Sequence, residues 1–198
     1  MKIDTGEKVM LNNTELHNGS LHWYAVYTKS RHEKKVVELL TVKGIESYLP
    51  LVSDIHNWSD RKQMVQEPLI RGYVFVRILL KQTLYVLETY GVVRIVTFKR
   101  QYATIPDFQI DALKRVLECG VGLSAKNYLQ VGKMVEISSG PMKGVIGKIQ
   151  RIENKEKFVI ALDAVQMAFE VQVNFNLLKP VSEETRKKLY TLPLGIEK

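Results

Sequence analysis

Lys29, Arg31, His32, Lys34 and Lys35 crowd a short stretch just ahead of an apolar stripe at Val36, Val37, Leu39 and Leu40. That stripe has helical spacing, so the cations fall in the first turn of a helix. Exposed cations there oppose the helix dipole at about 0.3–1 kcal/mol each. A sequence that accepts this at several positions points to an anion held there, assisted by the free N–H groups of the helix start. The plainer reading is a solvated charged face, since Glu33 and Glu38 interrupt the basic run. A second group is aromatic: Trp23, Tyr24 and Tyr27 in one extended run, Tyr73 and Phe75 in another. Alternate residues of a strand share a face, so Trp23 and Tyr27 point away from Tyr24, and Tyr73 and Phe75 away from Val74 and Val76. Such a face is either core or a seat for an apolar partner. Catalysis has no candidates. His17, His22, His32 and His56 lack metal-ligand spacing, and no HExxH, P-loop or Gly-x-Ser-x-Gly occurs. Cys119 reads as a structural thiol at a helix end. The expectation is a protein that is no enzyme, with no metal and no cofactor.

Several elements must position these groups. Leu21–Thr28 reads as a strand, and Ser30 with Glu33 as a capping box opening a helix that Gly44 ends. Strands are expected around 46–49, 52–56 and 64–67, with a polar hairpin-like stretch over 57–63. Gly72–Leu79 is the strongest strand. A helix follows over 81–90 with Leu84 and Leu87 inward, then a strand over 92–98. Pro106 suits the first turn of a helix that buries Phe108, Leu113, Val116 and Leu117. This pattern describes an α+β domain, helices on a mainly antiparallel sheet. Beyond Gly120 it changes. A polar linker leads to short β runs at 134–137, 145–152, 158–162 and 169–175, separated by turns at 139–141 and 154–155, which together mean a small barrel. The turn Gly140-Pro141-Met142-Lys143-Gly144, with Gly147 following, supplies the tight bends a barrel corner needs. The resulting organisation is a flexible tail over 1–20, an α+β domain over 21–118, a linker over 119–130, a barrel over 131–181 and a tail over 182–198.

The whole chain has 198 residues, 45% apolar and 25% charged, enough for one or two folded domains. No apolar run approaches the roughly 20 residues that span a bilayer, and residues 1–20 lack the apolar middle of a secretory signal. A single cysteine excludes an internal disulfide. The expected setting is the cytoplasm, with no membrane partner. The net charge of +8 sits mainly in residues 21–118, so a polyanion should dock there.

The barrel segment, Val131-Gly132 through Gly140-Pro141-Met142-Lys143-Gly144 to Gly147, resembles a KOW motif, known from NusG-type transcription factors and some ribosomal proteins. WYAVYTKSRHEKKV, EPLIRGYVFV and GVVRIVTF resemble, in order, the NusG N-terminal domain. The chain is identified by this resemblance as a member of the NusG family, and it looks closer to specialised paralogs of the RfaH or UpxY kind. Glu67-Pro68-Leu69-Ile70-Arg71-Gly72-Tyr73 resembles the RfaH version of the central strand, and residues 105–120 the third helix of the UpxY group.

The resemblance implies binding to the clamp of elongating RNA polymerase, suppression of pausing and termination, and readthrough of long operons such as polysaccharide clusters. It places polymerase contacts on Trp23, Tyr27, Ile70, Tyr73 and Phe75, and the exposed non-template DNA strand on Lys29, Arg31, His32 and Lys35. Gly140, Pro141, Lys143, Gly144 and Gly147 form the KOW turn. The second polymerase contact of RfaH falls on Gln82, Thr83 and Leu84, of which only Thr83 matches. The barrel implies ribosomal protein S10 as a further partner; Ala164–Phe169, matching the Rho-contacting loop of housekeeping NusG, lacks the usual Phe-Gly pair. A monomer is expected. Two alternatives stay open: a housekeeping NusG-like factor, and a ribosome-associated RNA-binding KOW protein.

Overall fold

The structure, a computed structural model, describes residues 19–57, 62–126, 132–152 and 155–190. Residues 1–18 of the expected tail over 1–20, residues 58–61, part of the linker and Val131 at 127–131, residues 153–154, which include the first residue of the expected turn at 154–155, and the end from 191 lie outside the described residues. In chain order the elements are β1 (His22–Thr28), α1 (Glu33–Val42), β2 (Glu46–Tyr48), β3 (Leu51–Asn57), β4 (Lys62–Pro68), β5 (Tyr73–Ile78), α2 (Thr83–Leu87), β6 (Val92–Ile95), β7 (Thr97–Phe98), β8 (Gln101–Tyr102) and β9 (Thr104–Ile105). Next come α3 (Asp107–Glu118), β10 (Leu123–Lys126), β11 (Lys133–Ile137), β12 (Ile146–Ile152), β13 (Lys155–Leu162), β14 (Met167–Val171), β15 (Leu178–Pro180) and α4 (Glu183–Leu189). Among the described residues these fall into two compact units: one built from residues 19–49 and 72–104, the other from 50–71 and 105–190.

In the first unit β1 and β5 lie at the centre of an antiparallel sheet ordered β2-β5-β1-β6. Tyr24 and Val26 of β1 and Val74, Val76 and Ile78 of β5 bury together with Val36 and Leu40 of α1 and Val86 of α2. Burial alone raises the phenol pKa of Tyr24. The alternation expected from sequence therefore holds, with Trp23, Ala25, Tyr27, Tyr73 and Phe75 on the opposite face. Three local expectations change. Ser30 and Glu33 form no capping box: α1 starts at Glu33 with His32 as an N-cap whose side chain makes no bond to the N–H groups of the helix start. The Glu33 carboxylate instead accepts the backbone N–H of Gly72, in the turn just before β5, at 2.7 Å. The helix expected over 81–90 is only α2, preceded by a 3-10 turn at Leu80–Gln82. That tighter turn rotates the residues after it, so Val86 is inward and Leu84 exposed. The strand expected over 92–98 breaks at Val96, whose N–H reaches the Ala25 carbonyl, and β7 turns away to pair with β8.

The second unit holds the β3–β4 hairpin, paired from Leu51↔Pro68 to Asn57↔Lys62, and a six-stranded antiparallel barrel sheet ordered β10-β14-β13-β12-β11-β15. β10 comes from the stretch expected to be a linker. Leu123 and its neighbours pair with Val171 back to Ala168 of β14, which gives that strand a partner on its open side. The helix α3, expected on the first sheet, has Ala112 and Val116 buried among Val135, Ile137, Val145, Phe158, Ile160 and Val171 of the barrel. A polar knot fastens its first turn: Gln109 Nε2 donates to Asp163 Oδ2 at 2.7 Å, and the Asp163 N–H donates to Gln109 Oε1 at 3.1 Å. Lys148 Nζ binds the other carboxylate oxygen at 3.0 Å. A periodic apolar face shows that a helix buries one side, but only these sequence-distant partners show against what.

Candidate functional site

Two clusters meet at the end of β1. The first is aromatic. Tyr27 and Tyr73 are direct cross-strand partners, with ring centroids 5.4 Å apart at 64°, an edge-to-face pair. Gly72 keeps this pair in place. Its φ of +81° suits glycine, and a Cβ there would stand 3.1 Å from the Tyr27 ring. The Arg94 guanidinium lies 5.5 Å from the Tyr27 centroid. Tyr27 remains 38% exposed and Tyr73 is half-buried. The other three expected contact residues differ from these two. Trp23, Ile70 and Phe75 are buried, Phe75 with Tyr48 stacked at 6.4 Å. The pair Tyr27–Tyr73 is thus the accessible part of the expected aromatic set.

The second cluster is cationic. The Lys29 N–H donates to the Gly91 carbonyl at 2.8 Å, which ties the segment ahead of α1 to the turn before β6. Gly91, at φ +93°, leaves no room for a Cβ: Val36 would be 2.9 Å away and His32 3.2 Å. This close approach sets Tyr90 between two expected DNA-contact residues. Lys29 Nζ stands 5.0 Å over the Tyr90 ring, and the His32 ring lies 5.7 Å from it at 59°. Tyr90 is 64% exposed. His32 Nδ1 is 2.9 Å from the Ser30 carbonyl, which can only accept, so Nδ1 carries the proton. Arg31 is exposed at φ +60°, and Lys35 is exposed but ion-paired to Glu38 at 3.0 Å. Sequence reasoning missed Tyr90. An aromatic next to a turn glycine was the available signal, but its distance from the basic run hid the association.

The remaining candidates are mostly occupied by structure. Gln82 Oε1 accepts the Leu79 N–H and the Thr83 hydroxyl donates to the Leu80 carbonyl, each at 2.9 Å, so of that triplet only Leu84 faces outward. In the KOW turn, Gly140 and Gly144 have φ +82° and +87°. The Lys143 N–H closes onto Gly140, and Gly144 onto Ile137. Gly147 is fixed by contact: a Cβ would meet Phe158 Cζ at 2.5 Å and the Val159 carbonyl at 2.6 Å. Pro141 and Lys143 are exposed. No cluster of metal-ligating side chains occurs among the described residues. None of the described helices is long and apolar enough to cross a membrane.

Residues 21–114 match the family described as "Transcription termination factor nusG", and residues 131–161 match the KOW motif. Together these spans cover well over half of the chain. Among similar curated proteins are two named "Transcription termination/antitermination protein NusG". The one from Staphylococcus aureus is 27% identical and the one from Staphylococcus epidermidis 28%, each over 81% of this chain and 96% of the relative. A solved structure titled "Domain interaction in Thermotoga maritima NusG" is 23% identical over 82% of this chain and 98% of that one, with a TM-score of 0.42. The family is one of transcription factors, not of enzymes. With a NusG N-terminal domain followed in order by a KOW motif, the chain belongs to the NusG family of transcription termination and antitermination factors.

Proposed function

We propose that this chain rides on elongating RNA polymerase in the cytoplasm as a monomeric, cofactor-free factor. In this reading it suppresses pausing and termination along long operons of the polysaccharide type. One observation carries it: the end of β1 presents an accessible apolar pair, Tyr27–Tyr73, directly followed by the Lys29–Tyr90–His32 cluster. The pair suits an apolar ridge on the polymerase clamp. The cations and the exposed ring suit the phosphates and bases of the non-template strand. In this reading the KOW unit takes ribosomal protein S10 as a second partner.

The test uses a folded Tyr73→Asp variant, chosen because Tyr73 is partly exposed whereas Phe75 is buried and an Asp there would unfold the sheet. Loss of polymerase binding with an unchanged melting temperature is expected; normal incorporation into elongation complexes refutes the pair as the contact. Transcriptome sequencing of a deletion strain separates the specialised role from a housekeeping one. Loss of distal reads from one long operon supports the former, and genome-wide change the latter.

A further inference from the structure

The β7–β8 hairpin is closed by a two-residue loop. Thr97 pairs with Tyr102 and Phe98 with Gln101, so Lys99 and Arg100 alone make the turn. Both have left-handed backbones, φ +47° and +68°. A two-residue hairpin loop of this kind normally carries Asn-Gly, because a bulky side chain is strained with φ positive. Here two long cations occupy both strained positions. Neither meets a carboxylate among the described residues. Beside them Phe98 is 48% exposed, with Lys99 Nζ 5.6 Å from its ring centroid. Nothing in the packing of the first unit requires this choice, since an Asn-Gly turn would close the same hairpin with less strain. Strain retained at an exposed tip is a mark of function.

We infer that this tip, Phe98-Lys99-Arg100, is a contact site for single-stranded nucleic acid. One base stacks on the Phe98 ring, while Lys99 and Arg100 hold the phosphates on either side. An exposed ring flanked by two unpaired cations is the elementary unit of sequence-tolerant strand binding. An acidic protein surface would use the cations and leave the ring without purpose. The inference rests on the reading that this unit handles nucleic acid, and adds a second element to it, apart from the start of α1.

The test measures binding of the full chain to fluorescein-labelled oligo(dT) and oligo(U) across a salt series. Lys99→Asn/Arg100→Gly installs the relaxed turn. It should raise the melting temperature, weaken binding, and shallow the slope of log K against log [salt] by about 1.4 for two lost phosphate contacts. Phe98→Ala should weaken binding about tenfold with the slope unchanged. Preference for oligo(dT) or for oligo(U) names the natural strand as DNA or RNA. A relaxed-turn variant that is more stable and binds as before overturns the inference, and the tip is then only a strained turn. Tip variants that weaken binding to polyglutamate but not to either oligonucleotide also overturn it, in favour of an acidic protein. If alanines at the start of α1 abolish oligonucleotide binding while tip variants leave it intact, the inference fails and the proposed function survives.

Discussion

Glu33 shows how one side chain can carry two jobs that sequence reading would separate. It lies in the first turn of α1, where a carboxylate complements the dipole, and it is only 5% exposed because it accepts the Gly72 N–H. That bond fixes the turn that supports the Tyr27–Tyr73 pair. Glu33→Ala leaves this N–H without its charged acceptor and should lower stability by about 1–3 kcal/mol. Glu33→Gln, which keeps an oxygen, should cost less, as chemical denaturation can measure. Tyr190 makes a comparable point in the second unit. Its hydroxyl is 3.5 Å from Asp163 Oδ2 and its ring meets Phe108 edge-on at 5.5 Å. Burial, then the Asp163 carboxylate, hold its pKa well above the ordinary phenol value, while Arg186 pulls the other way. The unfolded chain therefore loses this proton first, near pH 10. The stabilisation is complete below that pH and fades as pH rises through it. Tyr190→Phe should make the alkaline loss of stability shallower, as melting curves from neutral pH upward would show. An unchanged alkaline limb would mean that the phenol is not held as described.

Among the elements, strands were the most legible part of the sequence, because alternation needs only the chain's own pattern. β1 and β5 and their faces follow directly from LHWYAVYT and GYVFVRIL. Elements whose identity depends on distant partners were not legible in the same way. β10 is polar and looks like a linker until β14 offers it a ladder. The apolar face of α3 was visible, but its seat against Phe158 and Ile160 was not. Glycines lie between these cases. Gly147 could be read from sequence as a bend. The structure gives a sharper reason, the approach of β13 to within van der Waals distance. Gly147→Ala should destabilise the barrel by about 1–3 kcal/mol through that overlap. Gly140→Ala should cost less, since only its positive φ opposes a side chain and no atom lies within 4 Å of the added carbon. Thermal unfolding of the two variants side by side checks the order, and equal losses would show that backbone strain rather than close packing governs this corner.

For the whole molecule, a net charge of +8 is legible at once but does not say where an anion would sit. Segment by segment the excess lies in the first domain, and we propose that the anion sits at the end of β1, where Gly91 brings Tyr90 against Lys29 and His32. No local pattern joins residues so far apart, which is why the cations were found from sequence and the ring was not. The proposal that this end grips a single strand makes a thermodynamic prediction for the intact factor on an elongation complex. Lys29→Ala, Arg31→Asn and Lys35→Ala together remove three charges; Asn is chosen at position 31 because it tolerates the φ of +60° found there. If each cation neutralises a phosphate, the triple variant should shallow the log K against log [salt] slope by roughly 2, at about 0.7 per contact. Lys35 shares its charge with Glu38 at 3.0 Å, so a Lys29/Arg31 double variant should account for most of the change. Affinity for an isolated clamp fragment should stay constant, because the Tyr27–Tyr73 pair is untouched. Loss of clamp affinity alongside the slope would mean that the cations and the aromatic pair form a single contact. A slope unchanged in the triple variant would return these residues to a solvated helix end.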